Sequence, residues 1–306
     1  MPLYGSPGEQ ISYMVYPSAK DGAPPLVLVH GFTASAASFD ANIAGLRKHF
    51  ELIVVELLGH GDSEAPAESA PYGPGPAVQR LLDLFDALGH DKVLLCGHSL
   101  GGALALRLAL DAPDRLLGLV VINSNSAAGT PEWREQARPG MATMAARVRA
   151  EGTDFMRKTR LYPAHSKRLD ERSRAMLMRD FDRLSPDAVA GTAEALVVDV
   201  NAFERLDKLT VPTLIVLGDR DAPFVASAPA FVARLPQHLL RTARLEGAGH
   251  AANIEQPAEF EAAVLAFASE LGLVPVPQSQ PASRGGSTLT IAGAALVIGC
   301  VVLVAS

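Results

Sequence analysis

The sequence has little cysteine and no excess of positive charge, and each shortage excludes a class of protein. Two cysteines in 306 residues, Cys96 and Cys300, are too few for a disulfide framework and have no metal-binding spacing, which fits a reducing compartment. Lys and Arg number 27 against 33 Asp and Glu, which gives a formal net charge of −6. Because nucleic-acid-binding proteins cluster cations against phosphates, we expect no nucleic-acid partner.

Several sequence signals are also missing. The first nine residues, MPLYGSPGE, have neither a basic region nor an apolar stretch, so no secretory signal is predicted. The chain contains no glycine-rich phosphate loop, no HExxH motif and no cluster of Cys and His. We therefore expect no metal ion, nucleotide or other cofactor. What remains is a globular composition, with 48% apolar and 20% charged residues.

Strand-like and helix-like segments alternate along most of the chain. Several strand-like segments are continuously apolar, which is typical of parallel strands covered on both faces. The pattern predicts an open, mostly parallel and doubly wound α/β sheet, built from residues 1–125 and 210–272. The predicted strands are Ile11–Tyr16, Leu26–Val29, Leu52–Val55, Val93–Cys96, Leu117–Ile122, Thr213–Leu217 and Thr242–Leu245.

Residues 126–209 interrupt this alternation, because they contain helical patterns and no convincing strand. A helical insertion between two strands of an α/β sheet is commonly a cap over the site, and we expect such a cap here. Its aromatic residues Trp133 and Phe155 are interpreted as packing residues of the cap rather than substrate contacts. The predicted breaks between the helices lie near Gly152, Tyr162-Pro163 and Ser185-Pro186.

The C-terminal end differs from the rest in composition. Residues 273–288 are rich in Pro, Gln, Ser and Gly, which is typical of a linker. Residues 289–305 carry no charge; as a helix they would span about 25 Å, short for a bilayer core of about 30 Å but tolerable. We predict a transmembrane helix that anchors a cytoplasmic catalytic domain to a membrane. The alternative is a soluble cytoplasmic protein whose tail is poorly ordered or packed on the body.

A glycine-flanked serine follows one of the apolar strands. Gly97-His98-Ser99-Leu100-Gly101 has the form G-x-S-x-G between a predicted strand and a predicted helix. There the serine lies on a sharp, strained turn that raises its hydroxyl above the sheet, and side chains in place of the glycines would collide with the strand and the helix. Ser99 is therefore predicted to be a nucleophile. His98 fills the variable position of the motif, where it either lines the pocket or is structural.

Two backbone N–H groups are candidates for an oxyanion hole beside Ser99. The tripeptide His30-Gly31-Phe32 ends a predicted strand, and the N–H of Phe32 is available there. The N–H of Leu100 opens the helix that follows the nucleophile. Such a pair stabilises the negative oxygen of a tetrahedral intermediate. His30 is interpreted as a structural histidine of its loop.

Acidic residues and a histidine follow the last two predicted strands. Asp219 and Asp221 come after Thr213–Leu217, and His250 comes after Thr242–Leu245. The chain order is therefore serine, acid, histidine, each at the C-terminal end of a strand, where open α/β sheets bind ligands. A histidine base, held in one tautomer by a carboxylate, is what a serine needs to become nucleophilic.

These motifs, together with Gly59-His60-Gly61-Asp62-Ser63, resemble the α/β-hydrolase family, in which His60 looks like a structural loop histidine. The resemblance extends from about Gly8 to Leu271 and is specific for the fold and the triad, but not for the substrate. Family members usually carry the acid in a G-x-x-D pattern, which implies Asp221 rather than Asp219. At a loop position where the family usually has Asp, this chain has Glu56. Because that Asp looks like a loop organiser, we expect the change to matter little.

The resemblance implies a serine hydrolase that cleaves a carboxylic ester or lactone through an acyl-Ser99 intermediate, with Asp221 and His250 completing the triad. Family members that open epoxides or displace halide need a carboxylate at the nucleophile position. This chain has Ser99 there, which argues against both of these activities. A carbon–carbon bond hydrolase or a menaquinone-pathway synthase stays open, although ring-fission hydrolases often carry Trp where this chain has Ala251. A non-catalytic binding protein is the third alternative. The expected partner is a small, lipophilic ester or lactone.

Overall fold

The computed structural model describes residues 1–275 and the backbone of Thr290–Gly293. Within these residues, nine strands form a single sheet. The strands are β1 (Leu3–Tyr4), β2 (Ile11–Tyr16), β3 (Pro25–Val29), β4 (Glu51–Val55), β5 (Val93–His98), β6 (Leu116–Ile122), β7 (Thr213–Gly218), β8 (Leu240–Leu245) and β9 (Thr290–Gly293).

Six consecutive strands, β3 to β8, pair in parallel and form the mostly parallel α/β sheet that the sequence predicts. The order across the sheet is β1-β2-β4-β3-β5-β6-β7-β8-β9, with antiparallel pairs at β1-β2, β2-β4 and β8-β9. The chain moves from β3 towards one edge and from β5 towards the other. The C-terminal ends of β3 and β5 therefore border the switch point, where open α/β sheets bind ligands.

Helices cover both faces of this sheet. They are α1 (Asp40–Leu46), α2 (Pro74–Ala87), α3 (Leu100–Asp111), α4 (Asn125–Ala128), α5 (Pro131–Glu151), α6 (Glu171–Asp182), α7 (Pro186–Ala195), α8 (Ala222–Arg234), α9 (Ala252–Glu255) and α10 (Pro257–Glu270). Val27 and Val29 of β3 pack in a cluster with α2, α3 and α8, whereas Leu26 and Leu28 pack in a second cluster with α10. Because alternate residues of a strand point to opposite faces, both sets must be apolar.

All seven predicted strands are present, and their ends differ from the prediction by two residues or fewer. The largest differences arise where backbone pairing with a neighbouring strand, rather than apolar side chains, determines where a strand begins or ends. β5 continues through Gly97 and His98 because these residues pair with Val121 and Ile122 of β6. The edge strand β1 was not predicted because it has only two residues, and β9 lies in the segment that was predicted as a helix.

Residues 126–209, called the insertion below, contain helices and no strand, as the sequence pattern predicts. Helix α5 begins after Thr130, whose side chain accepts the N–H of Trp133 at 3.3 Å. It ends at Gly152, whose φ of 76° suits glycine. Helix α6 begins after Asp170, whose carboxylate accepts the N–H of Ser173 at 2.7 Å. Helices α5 and α7 pack against each other.

The predicted linker (273–288) and apolar helix (289–305) lie mostly outside the described residues. At the start of the linker, Val274 packs in the second cluster, so the body of the protein continues past residue 272. Thr290–Gly293 are a strand rather than helix, and pair with β8, which would otherwise present a row of unpaired backbone groups. In the described part of the chain, no helix is long and apolar enough to cross a membrane. The predicted membrane helix is therefore unsupported.

Candidate active site

Ser99 lies on a tight turn between β5 and α3. Its φ of 53° and ψ of −116° fall in a region that non-glycine residues rarely adopt, so the turn is strained. The flanking glycines allow this turn because the backbone passes very close to them. A Cβ atom on Gly97 would lie 2.1 Å from the carbonyl oxygen of Gly101, and one on Gly101 would lie 2.3 Å from that of Val29.

Asp221 and His250 meet Ser99 above the C-terminal ends of the parallel strands. Asp221 follows β7, and its Oδ2 lies 2.7 Å from Nδ1 of His250. The other ring nitrogen, Nε2, lies 3.1 Å from Oγ of Ser99. The Asp221 side chain is 5% exposed and that of His250 is 48% exposed. This arrangement can move the serine proton to the imidazole while a buried carboxylate faces the opposite nitrogen.

Asp219, the other acidic candidate, lies in a different environment and does not bond to His250. One carboxylate oxygen accepts the N–H of Gly247 at 2.8 Å, and the other lies 3.3 Å from Nη2 of Arg244. Arg220 forms a second ion pair with the same side chain at 3.6 Å. Asp219 therefore closes the turn between the acid loop and the histidine loop, and the geometry separates the two carboxylates.

The two predicted oxyanion donors belong to residues next to the serine turn. The loop after β3 touches this turn, because a Cβ atom on Gly31 would lie 3.0 Å from Cβ of Ser99. Phe32 follows directly in this loop. The N–H of Leu100 is the first of α3, where the helix offers no carbonyl to accept it. The N–H of Leu100, with the positive end of the α3 dipole behind it, favours a negative oxygen bound against Ser99. The N–H of Phe32 stays the second predicted donor.

The loop histidines His30 and His60 are structural. His30 is fully buried, donates from Nδ1 to the carbonyl of Gly31 at 2.7 Å and accepts the N–H of Leu57 on Nε2 at 3.0 Å. Burial, with a smaller contribution from nearby His60, lowers the pKa of His30 to about 3. Burial also lowers the pKa of His60 to about 4. Both rings stay neutral near pH 7 and brace the loop that carries Phe32.

The His98 side chain is buried and bonds to the protein backbone. Its ring is 7% exposed and donates from Nε2 to the backbone carbonyl of His250 at 2.8 Å. The rings of His98 and His250 lie 4.9 Å apart between centroids, tilted by 58°. Of the two interpretations of this residue, the structure favours the structural one.

The sequence matches the family profile described as alpha/beta hydrolase fold over residues 24–257. The chain belongs to the α/β hydrolase fold family. A putative 2-succinyl-6-hydroxy-2,4-cyclohexadiene-1-carboxylate synthase from Bacillus subtilis is 26% identical, over 85% of this chain and 96% of the relative. The 3-oxoadipate enol-lactonase 1 of Acinetobacter baylyi is 25% identical, over 83% of this chain and 91% of the relative.

A solved structure, the enol-lactonase from Burkholderia xenovorans LB400, superposes on this α/β hydrolase with a TM-score of 0.74. It is 25% identical and covers 88% of this chain and 100% of its own. Relatives of nearly equal similarity are thus named for a synthase and for lactonases. Similarity therefore identifies the family and does not distinguish between these reactions.

Glu56 takes the place of the Asp that α/β hydrolases usually carry, and it organises its loop. Its Oε2 accepts the N–H of Asp62 at 2.6 Å, and its backbone carbonyl accepts the hydroxyl of Ser63 at 2.8 Å. Gly61 has a φ of 56°, and a Cβ there would overlap the Glu56 carboxylate. Burial raises the pKa of Glu56, and the N–H of Asp62 opposes that shift. The longer side chain therefore still binds the loop backbone.

The insertion contacts the site through an apolar cluster. The buried members of this cluster are Ala145, Val148, Met156, Phe181, Leu184, Val189, Ala190 and Ala193. Phe32 packs against the cluster, as do the partly buried side chains of Met144 and Phe155. Trp133 lies elsewhere, against Gly129 at the base of the insertion. The sequence interpretation of both aromatic residues as packing residues agrees with these contacts, but only Phe155 belongs to the cluster that reaches Phe32.

Polar contacts also hold the insertion to the sheet domain. The hydroxyl of Ser35 donates to the carboxylate of Asp180 in α6. Arg183 pairs with Asp62 from the Glu56 loop. Within the part of the chain that the structure describes, no group of three or more His, Cys, Asp or Glu side chains is arranged to hold a metal ion.

Two polar residues beside Ser99 and His250 were missed in the sequence. Asn123, at the end of β6, donates to the carbonyls of Gly249 and His250. Ser124 donates its hydroxyl to the carbonyl of Ser99 at 2.6 Å. The sequence signals these two residues only by their position directly after β6. The neighbouring strands β5 and β7 are also followed by site residues.

Proposed function

We propose that this α/β hydrolase cleaves a carboxylic ester or lactone through an acyl-Ser99 intermediate. The observation that carries the proposal is the hydrogen-bonded series Asp221–His250–Ser99, with separations of 2.7 and 3.1 Å. It joins a nucleophile, a base and an orienting carboxylate in the geometry that acyl transfer requires.

In the first step, Nε2 of His250 accepts the Ser99 proton as Oγ attacks the substrate carbonyl. The N–H groups of Phe32 and Leu100 donate to the oxygen that becomes negative, and Asp221 stabilises the imidazolium. His250 then returns the proton to the alkoxide. The resulting alcohol departs from an ester, or stays on the acyl chain of an opened lactone, and the acyl group is left on Ser99. In the second step, His250 takes a proton from water, the resulting hydroxide attacks the acyl carbon, and Ser99 recovers its proton.

An apolar substrate group fits the surroundings of this serine best. Phe32, which supplies one proposed oxyanion donor, also packs against the apolar cluster of the insertion. Partly buried side chains at this cluster include Met144, whose flexible thioether adapts to different shapes. We propose that the insertion is a cap and that its cluster receives the apolar part of the substrate. Closure of such a cap excludes water and strengthens the oxyanion contacts.

The direct test is turnover of p-nitrophenyl esters of increasing acyl length by wild type, Ser99→Ala and Ser227→Ala. Ser227 lies on α8, where it bonds to its own helix, and is a matched serine control. We expect Ser99→Ala to lose activity by several orders of magnitude with nearly unchanged Tm, while Ser227→Ala stays within about twofold of wild type. Comparable turnover by Ser99→Ala would refute the nucleophile.

A second readout separates ester hydrolysis from carbon–carbon or elimination chemistry on the same triad. A fluorophosphonate labels an activated serine whichever natural reaction the enzyme performs. Labelling of Ser99 without turnover of any ester or lactone in the panel would refute the proposed substrate class and favour the synthase-like alternative. Absence of labelling would favour a binding protein.

A further inference from the structure

The backbone carbonyl of His250 accepts two hydrogen bonds from side chains that belong to other parts of the site. His98, which precedes Ser99, donates from Nε2 at 2.8 Å, and Asn123 donates from Nδ2 at 3.0 Å. His250 itself lies in the connection between β8 and α9, where neither strand nor helix fixes the backbone. Side chains, rather than secondary structure, thus fix this carbonyl.

Asn123 also joins the loops of the acid and the base. Its Nδ2 donates to the carbonyl of Gly249 at 2.7 Å, and its Oδ1 accepts the N–H of Gly218, the last residue of β7, at 2.9 Å. The side chain is fully buried. A side-chain amide has the two N–H donors and the carbonyl acceptor that these three partners need, and only this orientation of the amide satisfies all of them. One side chain therefore ties the end of the acid strand to the loop of His250.

The backbone of Asn123 carries a second sign of a special role. Its φ of 40° lies in the left-handed region, which costs energy for every residue except glycine. Strain of this kind persists where surrounding contacts hold it, and it concentrates at functional sites. Glycine would adopt this backbone more easily, so the backbone alone does not call for an asparagine. The hydrogen bonds of the side chain do.

His98 is kept in the neutral form that a constant donor needs. Burial, with a smaller contribution from His250, lowers the pKa of His98 to about 3. A neutral imidazole carries one proton, and the contact with the His250 carbonyl places that proton on Nε2. The donor is therefore unchanged while His250 gains and loses a proton in the proposed reaction.

We propose that Asn123 and His98 are positioning residues that hold the backbone of His250, so that its ring meets Ser99 and Asp221 at once. The inference rests on the proposed function and deepens it. Neither residue touches the reacting atoms. The His250 side chain is about half exposed, so packing restrains it only on one side. A displacement of about 1 Å at a catalytic group costs on the order of 10²-fold in rate.

The competing explanation is that these residues only stabilise the fold, and Asn201 provides the matched control. It is a buried asparagine whose Nδ2 donates to the carbonyls of Ser126 and Gly129 at 2.6 and 2.8 Å. Its Oδ1 accepts the N–H of Phe203 at 3.1 Å. The bonding pattern equals that of Asn123, and its described hydrogen bonds do not reach the triad.

The experiment compares Asn123→Gly with Asn201→Gly, each of which loses two donors and one acceptor. Tm should fall in both variants, and less in Asn123→Gly, because glycine relieves the strained backbone at that position. For a small p-nitrophenyl ester, kcat should fall on the order of 10²-fold in Asn123→Gly, with KM within about threefold of wild type. In Asn201→Gly, kcat should stay within about threefold of wild type. A kcat equal to wild type in Asn123→Gly, or an equal decrease in both variants, would overturn the inference.

The second pair of variants tests His98 and keeps the proposal open to refutation if Asn123→Gly does not fold. His98→Leu removes the donor and should lower kcat about tenfold. His98→Gln restores an N–H donor of similar reach and should recover most of that loss, which filling of space alone would not do. Equal kcat in His98→Leu and wild type would refute the role of His98.

The rate of Ser99 labelling by a fluorophosphonate separates failure of this inference from failure of the proposed function. Labelling needs an activated serine but no ester substrate. If wild type is labelled and hydrolyses no ester, the substrate class is wrong, and slower labelling of Asn123→Gly than of Asn201→Gly still supports positioning. Equal labelling rates in wild type and Asn123→Gly would overturn the inference. No labelling of wild type would overturn the nucleophile and the inference together.

Discussion

Replacing Asp221 or Asp219 by asparagine distinguishes two carboxylates that are only two residues apart. Asparagine has the same shape as aspartate, so each change removes a charge with little change in volume. Asp221 is almost fully buried and accepts from His250 at 2.7 Å, whereas Asp219 bonds to the N–H of Gly247 and to arginine side chains. Asp221→Asn should therefore affect mainly activity, and Asp219→Asn mainly stability.

The expected effect of Asp221→Asn is a loss of kcat by about four orders of magnitude. A neutral amide neither stabilises the imidazolium of His250 nor holds Nδ1–H towards itself reliably, and in a Ser-His-Asp triad this change costs about 10⁴-fold. That factor corresponds to about 5.5 kcal/mol of transition-state stabilisation at about 1.4 kcal/mol per decade. Since the carboxylate is buried away from solvent screening, we expect the full effect here.

The expected effect of Asp219→Asn is on stability alone. The amide oxygen can still accept the N–H of Gly247, so the turn keeps its main hydrogen bond. The lost ion pairs involve Arg220 and Arg244, whose side chains are 64% and 59% exposed, and such pairs contribute roughly 0–1 kcal/mol each. We expect a decrease in Tm of about 2–4 °C and a kcat within about threefold of wild type.

The assay is steady-state hydrolysis of a small p-nitrophenyl ester, with thermal unfolding of each variant followed by circular dichroism. Active-site titration with a fluorophosphonate reports the fraction of competent enzyme, so that misfolded protein is not counted as a catalytic defect. A larger loss of kcat in Asp219→Asn than in Asp221→Asn would refute the assignment of the acid. Equal small losses would show that catalysis does not depend on the Asp221 carboxylate.

Three further predictions follow from the packing and the buried histidines. Gly101→Ala should lower Tm strongly or prevent folding, because its Cβ would lie 2.3 Å from a backbone carbonyl oxygen; near-normal unfolding would contradict the tight turn. Met144→Ala should change the preference for acyl length while Trp133→Phe should not, since only Met144 packs at the cluster that reaches the site; equal profiles would contradict the cap. Burial lowers the pKa values of His30 and His60 to about 3 and 4. Below the unfolded pKa of about 6.5, the unfolded chain binds a proton on each histidine that the folded chain does not bind. Each histidine should therefore lower the free energy of unfolding by about 1.4 kcal/mol for every pH unit that the pH falls. A Tm that stays constant from pH 7 to 5 would refute this.

Much of the fold was predictable because it depends on the apolar pattern and the glycine positions within short stretches of sequence. Continuously apolar runs predicted the parallel strands because both faces of the sheet are covered. The serine turn was predictable because Gly97 and Gly101 are needed wherever a backbone passes about 2 Å from the place of a Cβ atom. The positions of Phe32, Asp221 and His250 followed from strand ends that meet at one edge of the sheet.

Contacts between distant parts of the chain were decided only by the tertiary structure. The sequence left Asp219 and Asp221 as alternatives until a resemblance was invoked, and the structure separates them by their hydrogen-bond partners. Only the structure shows that His98 and Asn123 both donate to the backbone carbonyl of His250. Such bonds depend on the register of strands that are far apart in sequence, which no local pattern encodes.

The end of the chain shows the same division. Composition predicted an apolar helix over residues 289–305 because apolar character alone does not distinguish a helix from a strand. The described backbone instead has Thr290–Gly293 paired with β8. Whether a short apolar segment becomes a strand depends on a free sheet edge nearby. By itself the sequence determined the sheet, the serine turn and the order of the site residues. The three-dimensional arrangement decided which of the remaining polar groups bond to one another, because hydrogen bonds form between neighbours in space.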